Sequence, residues 1–254
     1  MEFAQGWDSI TTLVEDRWVE RRPRRPEIAA QLRRETRLLP WLAPRLPLPI
    51  PVPWVAGAAP LIVRHALVPG AATEAPTGEH GAIVGAFLRA LHDSPAEEAV
   101  RHGLPPAETT RRERAETTAR FRAEVLPLLP PAHRDQAGAL LDTWQDFPAD
   151  TLVHGDLGPE HLLTADGQVT GVIDFGDAHL GDPAIDLAWV LFGAPTAFAD
   201  AAATAYGVGT ELRRRAWHWH QLGPWYEVTY GIDIADPAVQ RDGLAGVVAR
   251  LVLG

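Results

Sequence analysis

The sequence predicts an α+β chain, with a small sheet-bearing part at its N-terminal end and a larger, mainly helical part behind it. Three observations carry this expectation. Short β-rich runs crowd the first 70 residues, and helical periodicity dominates most of the remaining chain. Between Thr151 and Trp189 lie two short apolar strands, each ending in an acid. Leu152 and Val153 lead to His154-Gly155-Asp156, and Val172 and Ile173 lead to Asp174-Phe175-Gly176.

In chain order, Thr11–Val14 and Arg17–Arg21 read as a hairpin around Glu15-Asp16. Pro26 opens a helix in which Ile28, Leu32, Glu35, Leu39 and Leu42 succeed one another at steps of four, three, four and three. Glu35 therefore lies in the apolar seam, where a carboxylate needs a cationic partner. The run from Arg45 to Val55 is too rich in proline for a helix or a central strand and reads as an extended segment packed along its lobe. Leu61-Ile62-Val63 begins a strand that runs to Val68-Pro69-Gly70. Helices are expected from His80 to Leu91, from about Glu108 to Leu129 and from about Ala132 to Trp144, the second of them densely charged and read as a solvated face. Asp166-Gly167 is a hairpin turn signal, and a hairpin there brings Asp156 and Asp174 to one edge. Asp182-Pro183 caps a further helix, and helices fill out the tail, including stretches from Glu211 to Trp219 and from Pro237 to Leu253. Trp217, Trp219 and Trp225 read as core, and His218 and His220 diverge on a helix too far to chelate one ion.

Composition narrows the function. With 254 residues and 46% hydrophobic content, the chain can bury a substantial core. No apolar run approaches the roughly 18 residues of a membrane span, and MEFAQGWDS lacks the basic and apolar regions of a signal peptide, so a cytoplasmic protein with no membrane partner is expected. The absence of cysteine leaves only oxygen and imidazole donors for a metal. A net charge of -10 argues against a nucleic-acid partner and favours a cationic small molecule. The chain contains no Lys and no Asn.

Two acids at strand ends suit phosphoryl transfer, in which one takes the proton of an attacking hydroxyl and the other holds the magnesium that bridges nucleotide phosphates. His154-Gly155-Asp156-Leu157-Gly158-Pro159-Glu160-His161 overlays the kinase loop H-R-D-L-x-x-x-N, and Asp174-Phe175-Gly176 is a literal D-F-G downstream. The runs HGDLGPEHLL and VIDFGDAHLGDPAIDLA resemble the aminoglycoside phosphotransferase family of small-molecule kinases, with weaker echoes in GWDSITTLV and PRLPLPIPVP.

The resemblance implies a two-lobed, protein-kinase-like fold, with residues 1–67 as the nucleotide-binding lobe and 68–254 as the catalytic and acceptor-binding lobe. It implies ATP or GTP as co-substrate, Mg2+ as metal and a small hydroxylated acceptor, most readily an aminoglycoside or another antibiotic. Asp156 is then the catalytic base and Asp174 the magnesium ligand. His161 stands where the second metal-binding Asn is expected; magnesium prefers hard oxygen, so this imidazole either joins the metal site or orients Asp156 or a water. With no Lys to pair the helix Glu and touch phosphate, Arg21 is the candidate partner of Glu35. Ser9, within Gly6-Trp7-Asp8-Ser9, falls where the phosphate-covering loop belongs, although the run is no G-x-G-x-x-G. The backbone near Ala66, Leu67 and Val68 is expected to meet the purine, the alternative being that Pro69-Gly70 is merely a turn. The acid matching Asp186 braces the catalytic loop from beneath. A leading helix and strand are also implied, and the sequence starts too late to hold much of either, so the N-terminal lobe is expected to be cut short.

Two other readings compete. An inactive, nucleotide-binding pseudokinase draws on the missing Lys, the poor phosphate loop and His161. A two-metal phosphoesterase built on His154, Asp156, His161, Asp174, His179 and Asp182 is the wrong shape of motif and lacks an Asn ligand.

Overall fold

The computed structural model describes residues 9–252, so Gly6, Trp7 and Asp8 of the expected phosphate cover lie outside the described residues. Strands β1 (Ser9–Val14) and β2 (Trp18–Pro23) form the expected hairpin, which turns with Glu15 and Asp16 both at positive φ. With β3 (Trp54–Ala58) and β4 (Leu61–Ala66) they make an antiparallel sheet in the order β1-β2-β4-β3. Helix α1 (Pro26–Leu42) starts on a proline whose fixed φ suits a first turn. Its seam is the expected one: Ile28 and Leu32 close a small core with Leu61 and Val63, while Leu38, Leu39 and Leu42 belong to the large core of the rest of the chain. One helix is thus shared by both hydrophobic clusters.

The proline-rich run is extended and packed, since the Pro49 carbonyl accepts a hydrogen bond from the Val172 N–H at 3.0 Å. Its last residues, Trp54 and Val55, already belong to β3, a strand that its prolines hid from sequence reading. After β4 the chain crosses at Ala66–Gly70, and β5 (Ala71–Ala72) joins a second sheet with β7 (Leu162–Ala165) and β8 (Gln168–Val172). Gly70 turns there at φ +118, and a Cβ on it would collide with Thr170 and with the Thr164 carbonyl.

The remainder is mainly helical. Helices α2 (Gly78–His92), α3 (Ala96–Arg101), α4 (Ala107–Arg120) and α5 (Pro131–Gln145) precede β6 (Thr151–Val153), and β9 (His179–Gly181), α6 (Ala184–Phe192), α7 (Thr196–Tyr206), α8 (Thr210–Asp233) and α9 (Pro237–Val252) come after β8. The short α3 lies outside the helices expected from the sequence, whereas the alanine-rich α7 is among the helices that fill out the tail. The expected helix to Leu129 is present but not uniform: past Arg120 it continues as one wide turn, Phe121–Val125, and ends in a tight one, Leu126–Leu128, that contains Pro127. Helix α8 runs well past Trp219, through Pro224. That proline cannot donate to the carbonyl one turn back, at His220, and the Arg250 guanidinium from α9 donates to it instead. Trp219 and Trp225 are buried core, as expected.

The charged helix α4 is not wholly a solvated face, because Arg114 and Thr118 are buried. The Arg114 guanidinium donates to the carbonyls of Phe147 and Pro148, just past the end of α5, and so fixes the turn that launches β6. A cation fits a helix C-terminus, where unsatisfied carbonyls carry partial negative charge. Arg114→Met keeps most of the aliphatic stem but strands these carbonyls, so urea denaturation should show a loss of about 3 kcal/mol. An unchanged midpoint would show that the contact is idle.

Candidate active site

The two acid loops meet, though not by the expected pairing. The Asp166-Gly167 turn joins β7 to β8, whereas β6, which launches His154-Gly155-Asp156, pairs with β9 beyond the D-F-G. Both loops nevertheless leave strand ends on the same side. The Ile173 N–H donates to the His161 carbonyl at 3.0 Å, and His154 Nε2 lies 2.9 Å from the Ile173 carbonyl. His154 is fully buried, and its Nδ1 accepts from the Asp156 N–H at 3.3 Å, so the proton sits on Nε2, donating to Ile173. Burial holds its pKa below the usual imidazole range. The Phe175 ring covers it at 4.7 Å.

The loop is clamped from below by Asp186, the fully buried acid of α6. Its two oxygens accept the N–H groups of His154 and Gly155, each at 2.8 Å, which is the brace implied by the resemblance. Burial works against this charge, but the hydrogen bond from His92 and the loop N–H groups outweigh it, and the pKa lies below the ordinary carboxylate range. Gly155 is required here: it stands at φ +89, and a Cβ would meet the Asp177 carbonyl. Asp182, also fully buried, ties α8 to this region by accepting from Arg215 Nε at 3.0 Å and from Trp219 Nε1 at 3.1 Å.

Asp156 projects from the clamped loop with 60% of its side chain exposed, and Asp174 with 53%. His161 stands between them. Its Nδ1 is 2.7 Å from the Asp156 carbonyl and 3.9 Å from the Asp156 carboxylate, and its Nε2 is 3.8 Å from that of Asp174. The carboxylate distances are too long for direct hydrogen bonds and leave His161 as a spacer between the acids. Asp174 holds φ +64, an uncommon backbone state for a residue with a side chain. Although Asp156 is reachable by solvent, the loops crowd it. This burial, opposed by His161 and reinforced by Asp177, Glu160 and Asp174, pushes its carboxyl up to about 6.

On the sheet side, Arg21 from β2 meets Glu35 from α1 at 2.6 Å, the pairing expected from the seam. Glu35 is 3% exposed, and burial raises its pKa despite the pull of Arg21. Ser9 lies beside this pair, with its hydroxyl 3.4 Å from Arg21 Nε. Two residues missed at the sequence level support this end of α1: Gln31 Nε2 donates to Glu35 Oε1 within the helix at 3.3 Å, and Arg34 joins the helix to the D-F-G by donating to the Gly176 carbonyl at 3.3 Å. Their spacing along α1 was the available signal, since Gln31 lies one turn before Glu35. At the crossing, the Leu67 N–H is taken by the Arg17 carbonyl at 2.8 Å, and the Ala66 carbonyl lies 2.8 Å from His65 Nδ1. Val68 is buried.

Among the described residues no three His, Asp or Glu side chains form a cage that could hold a metal ion unaided. One exposed carboxylate with open water around it fits magnesium that arrives with a nucleotide, since this ion keeps several waters and takes one or two carboxylates plus phosphate oxygens.

Glu35→Gln and Arg21→Met should each destabilise the fold by about 3 kcal/mol, the scale of an orphaned buried charge. The double variant should lose less than the sum of the two in chemical denaturation. Additive losses would show that the pair is not coupled.

Comparison with known proteins agrees with this geometry. Over 108 residues the chain is 39% identical to viomycin phosphotransferase of Streptomyces vinaceus, a match that covers 40% of this chain and 37% of that protein's length. Its fold is that of the GDP and kanamycin complex of APH(2")-IIia, with a TM-score of 0.86 at 23% identity over 100% of this chain and 93% of that one. Macrolide 2'-phosphotransferase MphH from Brachybacterium faecium has a TM-score of 0.75 and 26% identity, covering 97% and 90% of the two chains. The model of the APH phosphotransferase enzyme family matches residues 1–225, a span that contains the β2–α1 ion pair, both acid loops and the clamp beneath them, and the chain belongs to that family.

Proposed function

We propose that this chain moves the γ-phosphate of ATP or GTP to a hydroxyl of a small, cationic, antibiotic-like molecule, an aminoglycoside or a similar acceptor. The observation that carries this reading is the placement of Asp156: an exposed carboxylate on a rigidly clamped loop, with His161 between it and the carboxylate of Asp174. A raised carboxyl pKa makes a better proton acceptor while leaving the group ionised at neutral pH. The surrounding acids, Glu160, Asp174 and Asp177, favour an acceptor that brings positive charge.

In this reading Asp156 accepts the hydroxyl proton as the acceptor oxygen forms its bond to the γ-phosphorus. The bond to the β-phosphate bridging oxygen breaks, and a nucleoside diphosphate leaves. Asp174 would hold Mg2+, with His161 beside it, and the ion would supply charge neutralisation on the phosphate oxygens. Arg21, kept in place by Glu35 and flanked by Ser9, would hold phosphate oxygens. The backbone at Ala66 and Val68 would receive the purine, which makes residues 1–67 the nucleotide lobe and 68–254 the acceptor lobe. A donor nucleotide of this kind is abundant in the cytoplasm, where we place the protein. Among the described residues no helix is long and apolar enough to cross a membrane.

The pseudokinase alternative finds no support. Both acids leave strand ends on the same side, Arg21 pairs with Glu35 and so supports the role proposed for it in place of a Lys, and the relatives of the chain are phosphotransferases. The reading is tested by incubating the protein with labelled ATP or GTP, magnesium and a panel of aminoglycoside, macrolide, peptide and nucleoside antibiotics. Asp156→Asn should cut transfer by at least about a hundredfold with nucleotide affinity little changed. Wild-type transfer should fall as pH drops through about 6, because the proton gained by Asp156 occupies the site that must accept one. Near-normal turnover in Asp156→Asn would remove the assignment.

A further inference from the structure

A buried chain of hydrogen bonds lies beneath the catalytic loop and takes no part in the proposed phosphoryl transfer itself. Asp186 Oδ2, which accepts the His154 N–H, also meets His92 Nε2 at 3.0 Å. On the far side of the ring, His92 Nδ1 meets the Tyr206 hydroxyl at 2.8 Å. His92 is the last residue of α2 and Tyr206 the last of α7. The two helices touch backbone to backbone, because Gly81 and Gly85 of α2 leave no room for a Cβ against the carbonyls of Phe198 and Ala202.

The direction of the chain is set by the donors. An ionised carboxylate carries no proton, so the ring must donate from Nε2 to Asp186. A singly protonated ring then leaves Nδ1 as an acceptor, and the Tyr206 hydroxyl donates to it. Asp186 Oδ2 thereby receives two donors and Oδ1 one. The carboxylate cannot rotate without breaking a bond either to the loop or to His92.

We propose that His92 and Tyr206 are positioning residues. Acting through Asp186, they fix the backbone of His154 and Gly155 and thereby aim Asp156 at the acceptor hydroxyl. Aiming Asp156 rests on the phosphotransferase reading; the immobilisation of the loop does not.

The test therefore uses two readouts on full-length wild type, His92→Leu, His92→Gln and Tyr206→Phe. The first is kcat and KM for phosphate transfer, normalised to folded protein; the second is amide hydrogen exchange at His154 and Gly155 without any substrate. His92→Leu should lower kcat about tenfold to a hundredfold, the scale of a misplaced catalytic group, with KM for nucleotide unchanged. His92→Gln, whose amide can donate from near the Nε2 position, should recover most of that loss, and Tyr206→Phe should fall between Gln and Leu. Exchange at the two loop amides should accelerate in the same order while the helices of the large core keep their protection. Unchanged loop exchange in His92→Leu, or in Tyr206→Phe if the former does not fold, overturns the proposal. So does acceleration spread evenly over the whole chain, which marks a merely structural role. A wild type that transfers no phosphate overturns the functional reading instead, and the exchange measurement still decides on the clamp.

Discussion

The interaction on which the site depends is the carboxylate of Asp186 accepting two successive backbone N–H groups of the catalytic loop. Burying a charge without partners is prohibitive, and Asp186 is tolerated in the core only because those N–H groups and His92 surround it. The dependence is mutual. The loop departs from β6 through Gly155 at positive φ, a residue whose backbone has many alternatives open to it, and the same two N–H groups would be orphaned without the acid. From this fixed base Asp156 reaches solvent, so a rigid support and an exposed reactive group come from one stretch of chain.

A second buried charge, Glu35, does for the sheet-bearing lobe what Asp186 does for the loop. It pairs with Arg21 of β2 and with Gln31 of its own helix, while Arg34 of the same helix donates to the Gly176 carbonyl, so α1 is bonded both to β2 and to the D-F-G turn. Its raised pKa shows that burial is not fully offset by the pairing. Asp174 likewise holds a left-handed backbone. Both features cost stability, and both lie where the proposed chemistry needs fixed charges.

Much of this was legible in residues whose local chemistry is decisive. Two acidic residues at a turn gave the β1–β2 hairpin, and the four-three step along α1 put Glu35 inside before any fold was known. The same step, applied to Leu88 and His92, was available and would have placed that histidine on the buried face of α2. What was not legible depends on distant partners. Asp166-Gly167 announces a hairpin of the segments directly beside it, β7 and β8, but says nothing of the partner of β6, which found β9 across the D-F-G. Arg114 reads as one more surface base until the end of α5 arrives to take it. Pro224 reads as a helix stop until Arg250 satisfies the carbonyl it strands.

The central claim is that the clamp at Asp186 determines whether Asp156 can work. It is met most directly by measuring transfer of labelled γ-phosphate to an antibiotic acceptor by Asp186→Asn, at equal concentrations of folded protein and with nucleotide affinity determined in parallel. The amide keeps the shape but turns a donor toward groups that themselves donate. Transfer should fall by about a hundredfold while the nucleotide still binds. A variant that folds, binds nucleotide and transfers phosphate at the wild-type rate would contradict the account.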